Sequence, residues 1–404
     1  MKTHSFRAVL FLSILCCLAA CDIKNNKIEP QTSFTKIYDN GDFERAYYPL
    51  DIRQTADSGY VVMGMANVEN SDFLAAYLMK IDKAGQFKWE HISDRFVNPV
   101  SELIGSGNSW RFFCMDKDNL GTHLVQFDAT AGIPQSVAAF EKLTYPLAAS
   151  AVPGGNLVLY WDREDKKTMK LARLNGNGIG WTKGYDIFED VEKQVIEQVT
   201  HRRKPQIPFM AGATAGGQLY FNGFNNFKLT LTFVSPNDGE ETGVLNGTRY
   251  ESSVSQVLPL PGGKFAVSRY KEDGENVYSP LADIAATGTA TAKDLPGNQL
   301  PELSRYARVA IRRGTIGGTN VILYASDTKN GQIALFAYDE TTGKLLGTKY
   351  LGAGNAFEMG GITFTQDGGI AVAGRIFVAG RFPRICVFKL SPSEAQAMIG
   401  AAKE

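Results

Sequence analysis

Four histidines, five cysteines and a scatter of carboxylates are the side chains of this 404-residue chain that could do acid–base, nucleophilic or metal chemistry. The histidines are His4, His91, His123 and His201, and no two stand at the spacing by which a helix presents a pair of metal ligands. No G-x-S-x-G elbow and no phosphate-binding loop occurs. The stretch DKDNLG, Asp116 to Gly121, opens with the carboxylate spacing of a calcium loop. Phe127 stands where the closing glutamate belongs, so a polar turn between strands is expected there. GNGIG, Gly176 to Gly180, touches the dinucleotide fingerprint but lacks a strand–helix–strand unit around it, and reads as a hairpin turn. Acidic residues are plentiful, and spacing alone names no glycosidase pair among them. No cofactor and no metal is implied.

Two stretches have the composition of binding elements instead. In EDVEKQVIEQVTHRRKPQIP, Val191, Val195, Ile196 and Val199 recur at helical spacing, and Pro205 ends the run. A short amphipathic helix is expected, ending in His201, Arg202, Arg203 and Lys204. Basic residues there complement the helix dipole, and they also make the stretch a candidate lid or docking element. The second stretch, GRIFVAGRFPR, sets Arg375, Arg381 and Arg384 among Phe377 and Phe382. Arginine mixed with exposed aromatics is the composition of interface hot spots, though the rings could equally pack between elements.

The elements that position these residues come from a repeat. A glycine turn followed by an alternating apolar strand occurs as ADSGYVVMGM, VPGGNLVLYW, TAGGQLYFNG, LPGGKFAVSR and TQDGGIAVAG. Two weaker copies, GSGNSWRFFC and TIGGTNVILY, fill the gaps. The reference glycines are Gly59, Gly107, Gly155, Gly217, Gly263, Gly318 and Gly369, seven copies spaced 46 to 62 residues apart. That interval suits propeller blades. After each copy a further strand runs into a polar turn, as in YLMKIDKAGQFKWE, THLVQFDATAG and IALFAYDETTGKLL. Each repeat therefore reads as four antiparallel strands. The seventh copy ends one strand short, while SFTKIYDNG, Ser33 to Gly41, precedes the first blade without a partner. The expected fold is an all-β seven-bladed β-propeller over residues 34–391, its ring closed by an N-terminal strand that completes the last blade and removes an open edge. Residues 392–404 are left as a C-terminal tail.

Both unusual stretches enter a blade's first strand or join its second and third strands. These two kinds of loop share one face of a propeller, which is therefore the expected binding surface.

Upstream lies an address. Lys2 and Arg7 precede the apolar run AVLFLSILCCLAA, too short for a comfortable membrane span and suited to a secretory signal. Leu18, Ala19 and Ala20 directly before Cys21 resemble the bacterial lipobox. The resemblance implies cleavage after residue 20, acylation of Cys21 and a lipid anchor, with residues 21–33 as a polar tether. The 42 basic and 42 acidic residues balance, and loss of Lys2 and Arg7 leaves 40 against 42. No basic excess points to nucleic acid. Two cysteines leave with the signal and one carries lipid, so Cys114 and Cys386 remain, expected reduced and buried in different blades.

The repeats resemble those of secreted bacterial seven-bladed β-propellers, whose blades carry a T-x-D-G-G-Y turn and then a D-x-x-G-x-x-x-W turn. QTADSGYVVMG…YLMKIDKAGQFKWE matches best, and the resemblance spans about Ser33 to Leu390. YDETTGKLLGTKY is also similar to repeats of quinoprotein-like propellers, without their tryptophan. TQDGGIAV overlaps part of the sialidase Asp-box but lacks its aromatic. The resemblance implies a lipid-anchored cell-envelope protein of a Gram-negative bacterium, most simply at the outer membrane. It would act as a protein-binding scaffold or accessory subunit of an outer-membrane complex. The alternative is a carbohydrate-binding or carbohydrate-active propeller with a site in its central channel.

Overall fold

Each glycine-turn phrase is the hairpin between the first two strands of a sheet. In the first, Tyr47–Gln54 pairs antiparallel with Tyr60–Ala66, and the Thr55 N–H donates to Gly59 O across the turn. The computed structural model describes residues 33–39, 45–69, 71–200, 206–247, 252–380 and 382–400. The lipobox, nearly all of the tether, His201, Arg202, Arg203, Lys204 and Arg381 lie outside the described residues.

The strands of the described residues form six hydrogen-bonded sheets. One of them is two blades joined where Phe96 and Val97 pair with Asp116 and Met115, so five sheets and this double one give seven blades of an all-β propeller. The first strands of neighbouring blades pack on one another around the axis, running from Tyr47–Gln54 in blade one to Val309–Ile316 in blade six and Ala356–Phe364 in blade seven. Phe34–Tyr38 pairs antiparallel with Arg384–Leu390, as the fourth strand of the last sheet.

The burial pattern explains the sequence pattern. Middle strands such as Tyr60–Ala66 and Ala75–Ile81 are buried along their whole length, because both faces of a blade are covered by its neighbours. The outer strand Phe87–Val97 meets water along much of its length and carries polar residues there. Among the described residues seven hydrophobic clusters result, six of them formed by two adjacent blades and one by blades three and four with Val97 and Met115 added. One joins the last blade to the first through Tyr60, Val62, Ala371 and Val387.

Among the described residues two α-helices and one added strand depart from the repeat. Helix α1, Glu192–Thr200, buries Val195 and Val199 against blades three and four, on the face its periodicity indicates. The strand Gly288–Thr291, from an insertion in blade five, pairs parallel with Glu241–Asn246 and covers the outer edge of blade four. The segment read as a tail is helix α2, Pro392–Gly400. Ser391 and Glu394 cap it reciprocally: the Glu394 N–H donates to Ser391 Oγ at 3.2 Å and the Ser391 N–H to Glu394 Oε2 at 2.8 Å. Ala395 and Met398 are buried against blade six.

Candidate functional site

The two faces of the propeller are built differently. The hairpins between first and second strands turn mostly on glycine at positive φ, as at Gly217, Gly318 and Gly368. Among the described residues nine that are not glycine also adopt positive φ, and of these Ser58 alone sits in such a hairpin. The other eight, among them Asn98, Tyr145, Phe188, Phe227 and Tyr306, lie in loops between blades or between second and third strands. Those loops share the opposite face. A left-handed conformation costs a side-chain-bearing residue about 1–2 kcal/mol, so strain is concentrated on one side of the molecule.

Phe188 and Phe227 are the clearest case. Their φ values are 65° and 64°, both rings are half-exposed, and they stack with centroids 5.3 Å apart at 23°. The Asn226 N–H donates to Asp186 O and the Phe227 N–H to Ile187 O, which clamps the blade-four hairpin to the loop that leads into α1. Their sequence surroundings gave no signal, since two isolated phenylalanines meet only through this loop pairing.

Of the arginine and phenylalanine residues singled out in blade seven, Phe377 and Phe382 are exposed. Arg375 is paired to Glu358 and stacks over Tyr48 and Phe377, with its charged carbon 4.6 and 5.1 Å from the ring centroids. Arg384 is a correction: it is buried, donating to Arg45 O at 2.6 Å and lying over Tyr47, so it braces the first and last blades instead of facing a partner. The stretch therefore offers two rings, and its two described arginines are already engaged. Asp116 of the calcium-like stretch accepts from the Asp118 and Asn119 N–H groups and pairs with Arg95 at 2.5 Å, as a structural turn does. Cys114 and Cys386 are both free and buried.

The central channel holds a cavity of about 600 Å³. Leu50, Leu147 and Ser255, each bulged out of register with the neighbouring strand, contribute to its wall. Gln198 of α1 and Gln206 line it as well, and the Gln198 side chain both donates to and accepts from the backbone of Ile207. Its charged lining residues are Glu102, Arg308 and Arg312. Behind them the carboxylates of Asp51 and Glu102 are clamped by two arginines. Arg53 lies 3.0 Å from Asp51 and 2.7 Å from Glu102, and Arg312 lies 3.5 and 2.9 Å from the same two.

Blade seven makes this reach possible. Arg312 belongs to blade six and its partners to blades one and two, while the blade between presents Gly360 and Gly361. A Cβ on either would stand 2.5 Å from Pro49 O or 2.7 Å from Asp51 Cα.

The two acids differ. Burial pushes the Asp51 carboxyl up, against the pull of Arg53 and Arg312, and the group is sealed from water with Leu103 and Ile52 N–H donors upon it. Burial acts on Glu102 in the same sense, but Arg312 and Arg53 override it and hold the carboxyl at about 2. A glycoside hydrolase needs an acid and a base that both reach substrate. Here one carboxyl is enclosed and the other is neutralised by arginine.

No protein-family model matches the chain, and no curated protein matches it in sequence. Among solved structures it is similar to the β-propeller domain of the trilobed protease from Pyrococcus furiosus. That likeness has 9% identity and TM-score 0.47, over 88% of this chain and 98% of that one. It is also similar to the Dos1 propeller, at 9% identity and TM-score 0.46 over 89% and 95%. An AofleA variant from Arthrobotrys oligospora gives 10% identity and TM-score 0.43 over 88% and 86%.

Proposed function

We propose that the chain is a non-catalytic binding propeller, held at the bacterial cell envelope through acylated Cys21, whose strained face docks an envelope or outer-membrane protein. The observation that carries this reading is the Phe188–Phe227 stack. Two phenylalanines are held in a conformation that favours glycine, with their rings half in water. Folding alone gains little from that arrangement, whereas paired aromatic anchors on a rigid support are what a protein interface uses. Phe377 and Phe382 emerge from a loop of the same face.

The test is to change both Phe188 and Phe227 to glycine. Glycine accepts the local φ without strain, so stability should stay within about 1 kcal/mol of the native chain. Native lipoprotein recovered in mild detergent should bring down a stoichiometric membrane-protein partner, and the double variant should lose it. Equal recovery by both chains would remove the stack from the interface.

A further inference from the structure

Arg308 is the charged residue of the channel whose chemistry the fold leaves incomplete. It precedes the first strand of blade six, and its guanidinium donates to Leu50 O of blade one at 2.9 Å. That carbonyl belongs to the residue bulged off the ladder. Arg53 and Arg312 each hold carboxylates, but among the described residues none stands within ion-pair distance of Arg308. The side chain is exposed, and what it is exposed to is the interior of the cavity. The protein around it works against its charge: enclosure within the channel pushes the guanidinium down, Arg312 adds to this, and Glu102, Asp51 and Asp327 only partly offset it. Arginine nevertheless keeps its proton.

The cavity's charge has the same sense. Arg308 and Arg312 against Glu102 leave its lining with one positive charge, since 2 − 1 = 1. The Arg312 Nε, although buried, has no hydrogen-bond partner among the described residues. Arg308 is therefore the guanidinium with donor capacity left over toward the cavity, a space of about 600 Å³, within the usual size of a small-molecule site. The rest of the wall suits an organic body better than a bare ion. Tyr220, Phe209 and Met210 supply apolar surface, and Gln198 and Gln256 supply amides.

We propose that the channel binds a small organic anion, a compound bearing a carboxylate or a phosphate, with Arg308 taking the anionic group. Planar guanidinium donors match both oxyanions in geometry. The anion supplies the counter-charge that the protein withholds from Arg308. The cavity wall includes Asn98 and Tyr306 of the strained face, but the anion site rests on Arg308 and the docking reading on the Phe188–Phe227 stack, neither of which lines the other's site.

The full-length lipoprotein in detergent is titrated calorimetrically with D-glucuronate, D-glucose 6-phosphate and uncharged D-glucose at fixed ionic strength. At least one anion should bind and glucose should not, and the anion that binds shows whether carboxylate or phosphate is preferred. Arg308→Gln should weaken that binding about tenfold or more, the scale of a lost charge-assisted hydrogen bond. Arg308→Lys should retain part of it. Both variants are melted alongside, and should one fail to fold, the other carries the comparison. The proposal is overturned if neither anion binds below about 10 mM, if glucose binds equally well, or if a folded Arg308→Gln binds as the native chain does. Partner recovery by Arg308→Gln should stay unchanged, so failure here is distinguishable from failure of the docking reading.

Discussion

At the scale of single residues, the repeated turn phrase is itself an electrostatic device. In the first blade, Lys80 reaches from the third strand into the turn, donating to Asp57 Oδ1 at 2.7 Å and to Thr55 Oγ1 at 2.5 Å. In the last blade Lys389 does the same to Asp367 at 2.9 Å. Both lysines are buried while their aspartates face water; the side chains of Lys80 and Asp57 are 5% and 58% exposed. The two halves of the pair should therefore respond unequally. Asp57→Ala strands a buried ammonium and should cost about 3 kcal/mol. Lys80→Met leaves a solvated carboxylate and should cost about 1 kcal/mol or less. Urea denaturation of the two variants checks the order, and equal losses would refute it. The pair also sets a pH dependence. Burial raises the Asp57 carboxyl, but hydrogen bonds from Lys80, Thr55 and the Gly59 N–H outweigh it and bring it to about 2, below its ordinary 3.8. A depressed acid contributes in full above its unfolded value, and the contribution is lost as pH falls from about 4 toward 2. Melting curves of Lys80→Met should show a shallower loss across that window.

The same scale explains why the channel was hidden in the sequence. Arg308 and Arg312 are some 250 residues from Asp51. Arg312 meets Asp51, and Arg308 the neighbouring Leu50 carbonyl, because blade seven contributes glycine where any other residue would fill the gap. Neither arginine carries a local motif. The Thr–Asp–Gly turn, by contrast, is a local motif, and it was legible as a recurring string even though its lysine partner was not.

Among the elements, what could be read depended on how much apolar surface each one carries. Helix α1 announces itself through valines and an isoleucine spaced for one face. Helix α2 buries only Ala395 and Met398, too small a stripe to stand out. Its capping box was present in the sequence as Ser391 and Glu394, but a four-residue signal does not separate a helix from a tail. The docking of α2 rests on a glycine of blade six. A Cβ on Gly347 would meet Met398 O at 1.8 Å, and the neighbouring backbone cannot give way as a flexible side chain could. Gly347→Ala should release α2 while the blades stay folded. Hydrogen exchange over residues 392–400 should then rise at least tenfold, the size of a local opening made easier by about 1.4 kcal/mol. Unchanged protection would mean that the helix shifts as a body and keeps its contacts.

For the molecule as a whole, the repeat length and the turn phrase carried most of the architecture. Each blade is an independent copy of one local pattern, and the apolar strands are explained by neighbours on both sides. The strained face was beyond such reading, because a repeat describes what blades share and that face is where they differ. The strand Phe34–Tyr38 ties the two ends of the pattern together. It supplies the outer edge of blade seven, and the Phe34 ring lies in the cluster shared with blade one, 6.3 Å from Tyr60 and against the Gly85 turn. The Tyr38 hydroxyl adds a bond to Gly85 O at 2.9 Å. Removing residues 33–38 would uncover the backbone of Arg384–Leu390 and take aromatic surface out of the first–last interface together. An uncovered edge invites pairing with a second chain, and a weakened interface in a ring loosens its two neighbours at once. The truncated protein should melt about 5 °C or more below the full chain. It should also elute as dimers and larger species, in proportion to concentration. A monomer of unchanged melting temperature would mean that the seventh blade stands without its fourth strand and that the two ends of the chain meet through their first strands alone.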